Sequence, residues 1–295
     1  MTGHSELPRP RQQSTGAHHL AVGEIVVTTL QDALMSGSLG LIQNLDEDTA
    51  SSLHRRSLRP DPPRITLNAY LLWLTDRLVL VDTGFGVLAG EEGGRMSAAL
   101  AEIGVLPEAI DDVLITHVHP DHTGGLINHD DQPVFPNATV HIPGGELDFW
   151  MGREPEGISE ALQQHFAAAR RILGAIEART ERLDGDEVMP GITRVRLPGH
   201  TPDHSGYRIE SNGDSLLIWG DIVHLPHIQL ARPEAGVLFD VDGDQARRTR
   251  ETLLEEVSEQ QQLIAGHHLD FPGVGHIVRD GDGYRFLPHV WSPVV

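Results

Sequence analysis

Four side chains able to bind a metal fall within six residues, in the segment His117-x-His119-x-Asp121-His122, directly after the apolar run Val113 to Ile115. Alternate residues of an extended chain point the same way, so His117 and His119 are placed to chelate one ion. Pro120 turns the chain, and Asp121 and His122 then face a second. Gly124 and Gly125 follow and let the backbone pass closely beneath such a site. A single His after a strand is more often structural, but this density reverses the balance. The chain has no cysteine, which excludes disulfides, iron–sulfur clusters and thiolate ligands. Imidazole and carboxylate suit Zn²⁺, Mn²⁺, Fe²⁺ or Co²⁺.

The same punctuation recurs along the chain. Apolar, β-rich runs end at Asp82, His117, His200, Asp221 and His268. Ligands in α/β folds gather beyond the carboxyl ends of strands, so these five positions are expected to meet. Strands are expected at Ile25 to Leu30, Asn68 to Leu74, Leu78 to Val81, Val113 to Ile115, Ala138 to Ile142, Ile192 to Leu197, Ser215 to Trp219 and Leu263 to Ala265. Helical spacing covers Arg95 to Ile103, Ile158 to Arg179 and, capped by Asp242, Gly243 to Gln260. Strands alternating with helices predict an α/β domain with helices covering the sheet faces. Ser36 to Pro63 reads as irregular, a candidate lid or dimer contact.

Length and charge narrow the classes. The chain has 295 residues, and we expect a disordered leader over 1–20 and one domain over 21–295. Its formal charge is −21, from 22 basic against 43 acidic residues, which argues against a nucleic-acid partner. No apolar run has the roughly 18 residues that a membrane span needs. The leader lacks the apolar segment of a secretory signal, so a cytoplasmic location is expected.

The ligand series His117, His119, Asp121, His122, His200, Asp221 and His268 resembles, in order and type, that of the metallo-β-lactamase superfamily. Several segments resemble its methyl parathion hydrolase branch: Asn68 to Leu71, Leu78 to Gly84, Phe135 to Ala138, Asp148 to Trp150, His268 to Ile277 and Gly283 to Pro288. The likeness runs from about Gly23 to the C-terminus and is weak from Gly37 to Pro63. It implies a four-layer αββα sandwich with two divalent metal ions at the sheet edge, zinc first. By that match, His117, His119 and His200 bind one ion, Asp121, His122 and His268 the other, and Asp221 bridges. The Phe-Pro-Gly that follows selects His268 over His267 as ligand and leaves His267 a packing or supporting role. Asp82 matches a position that supports a metal-binding His. A homodimer is also implied.

The expected function is hydrolysis by a water shared between two metals, its pKa lowered towards neutrality. No Gly-x-Ser-x-Gly elbow competes with that reading. Asp121 is expected to steer or shuttle the proton. His224, three residues after Asp221, stands where acyl-homoserine lactonases often carry a Tyr that contacts the substrate; a loop His is the competing reading. Leu225 belongs to the same apolar stretch, which is expected to line the substrate pocket. Trp150 matches a pocket aromatic of the methyl parathion hydrolase branch, with core packing as the competing reading. Asp203 replaces the usual Gly of Gly-His-Thr-Pro-Gly-His. His224 and His227 add polarity where phosphotriesterase-like members are more apolar. That favours a more polar carboxylic ester or lactone as substrate, with a phosphotriester next, then a β-lactam side activity or a non-hydrolytic diiron module.

Overall fold

Alternation along the central strands decides the architecture. In the strand Arg64–Trp73, Tyr70 and Leu72 face one way and Ala69 and Leu71 the other, and all four are buried. A strand buried on both faces needs a layer on each side. Tyr70, Leu72, Val79, Val81 and Leu114 pack between two sheets against Tyr207, Ile209, Leu216 and Ile218. Leu71, Leu80 and Val113 pack outward with Phe166, Ile172 and Leu173 of the helix Glu160–Ile176. On the far side, Leu217, Trp219 and Ile264 pack with Leu253, Leu254 and Val257 of the helix Gly243–Glu259. The result is helix, sheet, sheet, helix.

The structure, a computed structural model, describes Gln13 and residues 16–295. The first sheet has seven strands in the order Ala17–Val22, Ile25–Ser36, Arg64–Trp73, Leu78–Val81, Asp112–Leu114, Thr139–Pro143 and Thr180–Leu183. The second, also of seven, runs Gly283–Pro288, Val274–Asp280, Leu263–Ala265, Asp214–Ile218, Ser205–Ser211, Ile192–Arg196 and Glu187–Met189. The strand before Asp82 runs parallel to the strand before His117, and the strand before Asp221 parallel to that before His268. Each pair therefore ends at the same edge.

Two sequence expectations change. Most of the leader lies outside the described residues, but its last residues are strand: Ala17–Val22 pairs antiparallel with Ile25–Ser36 about Gly23 at φ +59. The stretch 36–63 is not wholly irregular. Asp46 caps the helix Glu47–Arg56 through Thr49 N, and Ile42 pairs with Val237. Ile42 and Ala50 bury against Leu225, Ile228 and Val237, so this arm is stapled to its own chain. Among the described residues no helix is long and apolar enough to cross a membrane.

Candidate metal centre

The five strand ends meet as expected, at the edge between the two sheets. Asp82 closes the strand Leu78–Val81 at φ +57, a conformation Asp tolerates better than most residues. Its Oδ1 accepts from Thr116 N at 2.8 Å and its Oδ2 from Thr116 Oγ1 at 2.7 Å. The carboxylate thereby fixes the start of the His117 loop. Gly124 and Gly125 press that loop onto the 83–85 turn, where a Cβ would lie 2.2 Å from Phe85 O or 2.0 Å from Thr83 O.

Two groups of donor atoms form. In the first, His119 Nδ1 stands 3.1 Å from His117 Nε2 and 3.0 Å from His200 Nε2. His200 Nδ1 donates to Asp240 Oδ1 at 2.8 Å, so its Nε2 offers a lone pair when the ring is neutral. In the second group, His122 Nε2 is 3.1 Å from Asp221 Oδ1, and His268 Nε2 is 3.0 Å from Asp221 Oδ2. Asp121 Oδ2 lies 3.7 and 3.5 Å from the same two nitrogens. The Nδ1 atoms of these rings are tied behind: His122 donates to Asp82 Oδ2 at 2.6 Å, and His268 to Thr66 O at 2.9 Å. Asp221 reaches the first group too, its Oδ2 3.4 Å from His200 Nε2 and 3.7 Å from His117 Nε2.

The geometry suits divalent metal ions better than hydrogen bonds. His122 Nε2 and Asp221 Oδ1 are close and fully buried, yet neither has a hydrogen-bond partner. Orphaned buried polar atoms are costly and rare. Nitrogens bound at about 2.0–2.1 Å in a tetrahedron stand roughly 3.3 Å apart, near the spacings of the first group. The charges compete strongly. Burial lowers His117 and His119 well below the usual imidazole range, reinforced by neighbouring histidines. Burial would also lower His122 and His200, but carboxylates overcome it: Asp221, Asp121 and Asp82 raise His122 well above that range, and Asp221 and Asp240 push His200 up to about 9. Burial pushes Asp221 up, and the facing histidines pull it well below the carboxylate range.

His224 Nε2 lies 3.1 Å from Asp221 Oδ2, its ring stacked on His268, and burial holds it down at about 4. Asp121, His224 and Phe239 line a cavity of about 250 Å³ over the donors. Met35, Leu41, Ile65, Leu67 and Phe85 form an apolar wall, contributed partly by the 36–67 stretch. The other two expected pocket residues sit behind that lining. Trp150 is fully buried against Phe149 and Phe166, and Leu225 is buried against the arm. His227 is not in the lining either: its Nε2 meets His54 Nδ1 at 2.9 Å. The polarity expected from His227 is therefore absent from the cavity.

Four residues that sequence reasoning gave no role hold this site. Asp240 orients His200. His204 donates from Nδ1 to Leu197 O and accepts from Asp221 N, which fixes the turn at Asp221. Gln229 Oε1 accepts from His224 N and Leu225 N. Glu146 is buried beneath the His117–His119 loop. Only His204 carried a usable signal, as the second His of Gly199-His200-Thr201-Pro202-Asp203-His204. His267, expected to pack or support, stands 2.7 Å from Asp82 Oδ2.

The comparisons agree with this geometry. The model of the Metallo-beta-lactamase superfamily matches residues 64–268. The N-acyl homoserine lactonase of Bacillus thuringiensis is 24% identical over 224 residues, covering 68% of this chain and 80% of its own. Among solved structures, hydrolase AbOPH in the beta lactamase superfamily is 27% identical with a TM-score of 0.90, over 95% of this chain and 100% of its own. AidC, a dizinc quorum-quenching lactonase in complex with a product, is 26% identical with a TM-score of 0.89, over 94% and 99%. With the family model matched across all seven donor positions, this chain belongs to the metallo-β-lactamase superfamily.

Proposed function

We propose that this chain is a dinuclear metal-dependent hydrolase that opens the ring ester of a small lactone. The observation that carries the reading is the pair of donor groups on the floor of an apolar cavity, with Asp221 reaching both. His117, His119 and His200 would hold one divalent ion, Asp121, His122 and His268 the other, and Asp221 both. Such ions, zinc first with manganese, iron or cobalt as alternatives, would supply Lewis acidity and a water with its pKa lowered towards 7. The protein's own groups do the rest. Asp82, Asp240 and the Thr66 carbonyl hold the rings that face the reacting centre. Asp121, partly exposed at the cavity, accepts and passes on the proton. The neutral His224 lines the cavity with its Nε2 beside Asp221, placed to bond a substrate or leaving oxygen. The apolar wall takes the lactone's substituent and excludes water.

The lactonases among the relatives support a lactone substrate. A phosphotriester is the second reading. It rests on the segments that resemble the methyl parathion hydrolase branch and on the apolar wall, from which His227 is turned away. The test is metal-loaded protein assayed on an N-acyl homoserine lactone, an aryl ester, a paraoxon-type triester and nitrocefin. The lactone is expected to give the highest kcat/KM, by roughly tenfold or more, which is about 1.4 kcal/mol. A higher value on the triester would favour the second reading. Comparable low rates on all four would contradict both. A cytoplasmic homodimer completes the proposal, to be checked by cell fractionation and by solution mass.

A further inference from the structure

Glu146 sits in the first turn of the helix Gly144–Met151 and is completely buried. Its Oε2 accepts from Val118 N at 3.0 Å and from Trp150 Nε1 at 2.9 Å. Its Oε1 accepts from Asp203 N at 3.0 Å. Val118 lies between His117 and His119, and Asp203 three residues beyond His200. One carboxylate therefore grips both loops that carry the first donor group. A second grip lies beside it: Gly145 N donates to Asp203 Oδ2 at 2.8 Å, and Asp203 pairs with the buried Arg194. A side chain at 145 would not fit, because its Cβ would stand 2.6 Å from Asp203 Cβ.

The partners are all donors. Val118 N–H, Asp203 N–H and the Trp150 indole N–H are satisfied together by a carboxyl group that accepts at both oxygens, and burial raises the pKa of that group. A Gln would turn an NH₂ against one of these N–H groups. An Asp is one methylene shorter.

We propose that Glu146 is a positioning residue that sets the spacing of His117, His119 and His200 before any ion enters. The proposal rests on the metal-site reading, but part of its test needs no metal, so the two can fail separately. In ion-free wild-type protein, hydrogen exchange of the Val118 and Asp203 amides is expected to be nearly as slow as in metal-loaded protein. Fast exchange at both, slowed only when metal is added, would overturn the proposal, because the metal would then be ordering the loops. In ion-free Glu146→Gln, exchange at these two loops is expected to rise together at least tenfold, while the sheet-core amides of Leu80 and Leu216 stay unchanged. A uniform rise throughout the chain would indicate only lost stability and would also overturn it.

Metal gives a second readout. Glu146→Gln loaded with Co²⁺ is expected to show an altered visible spectrum and roughly 10- to 100-fold weaker affinity at one of two sites, the range typical for groups that orient ligands. Glu146→Asp is expected to behave like Glu146→Gln, since a carboxyl group without reach grips one loop at most. Two unchanged sites in Glu146→Gln, or full rescue by Glu146→Asp, would contradict the bridging role. Should Glu146→Gln fail to fold, the wild-type exchange comparison still decides.

Discussion

Asp82 Oδ2 lies 2.6 Å from His122 Nδ1 and 2.7 Å from His267 Nε2, so one carboxylate at a strand end governs two rings of the second donor group's surroundings. Burial alone would raise its pKa, but the two facing histidines hold it well below the carboxylate range. Asn tolerates the φ of +57 at this position, so Asp82→Asn removes charge without forcing the backbone. Competition with a chelator is expected to show roughly 10- to 100-fold weaker divalent-ion binding at the site containing His122. Equal weakening of both sites would contradict the division into two groups.

Asp240 plays the matching part for the first group. It receives the His200 Nδ1 proton at 2.8 Å and also accepts from Val237 N at 3.0 Å. Asp240→Asn is expected to weaken the site of His117, His119 and His200 by roughly 10- to 100-fold and to leave the other intact. Measuring both variants on one metal titration tests the pairing of each carboxylate with its own group.

His224 separates binding from chemistry. Its ring is buried against His268 and faces the cavity, with Nδ1 unpartnered. His224→Ala is expected to lower kcat on the lactone by roughly 100-fold, the lower bound usual for a positioned acid–base group, with little change in KM. His224→Tyr, which restores a donor, is expected to recover part of the loss. A fall in KM-based affinity alone, with kcat intact, would reduce His224 to a wall residue.

Stability should depend on pH with a definite sign. Burial, joined by the His200 charge, lowers His204 from 6.5 to about 3, and burial lowers His224 to about 4 despite Asp221. A lowered folded pKa means that protons bind on unfolding. Their stabilisation is full above pH 6.5 and is lost as the pH falls towards 4 and 3. His200 has the opposite sign in ion-free protein. Its pKa is raised to about 9, so its contribution is full below 6.5 and lost as the pH rises through 9. A bound ion needs His200 neutral, so binding tightens as the pH rises and releases protons. Melting curves from pH 5 to 9 are expected to fall more steeply on the acid side for metal-loaded than for ion-free protein. Parallel curves would contradict this.

How much of this was legible in the sequence follows from what each residue needs. The strand-end groups were legible because each follows an apolar run, and parallel pairing brings Asp82 beside His117 and Asp221 beside His268. The inner strands were legible because burial on both faces demands continuous apolar residues, as in Leu78–Val81. The hairpin partner Ala17–Val22 was not: four of its six residues are Ala or His, and its burial is partial. Glu146 and Asp240 were invisible because their roles depend on loops distant in sequence. Trp150 and His227 were placed by likeness to relatives. Whether each side chain faces a cavity depends on neighbours such as Glu146 and His54, which a motif does not contain.

The most direct test of the central claim is the metal content of purified protein, measured by mass spectrometry together with lactone hydrolysis before and after chelation. The account predicts close to two divalent ions per chain, activity lost on chelation and regained on adding metal, and fewer ions bound by His119→Ala. Less than one ion per chain, unchanged in His119→Ala, would contradict it.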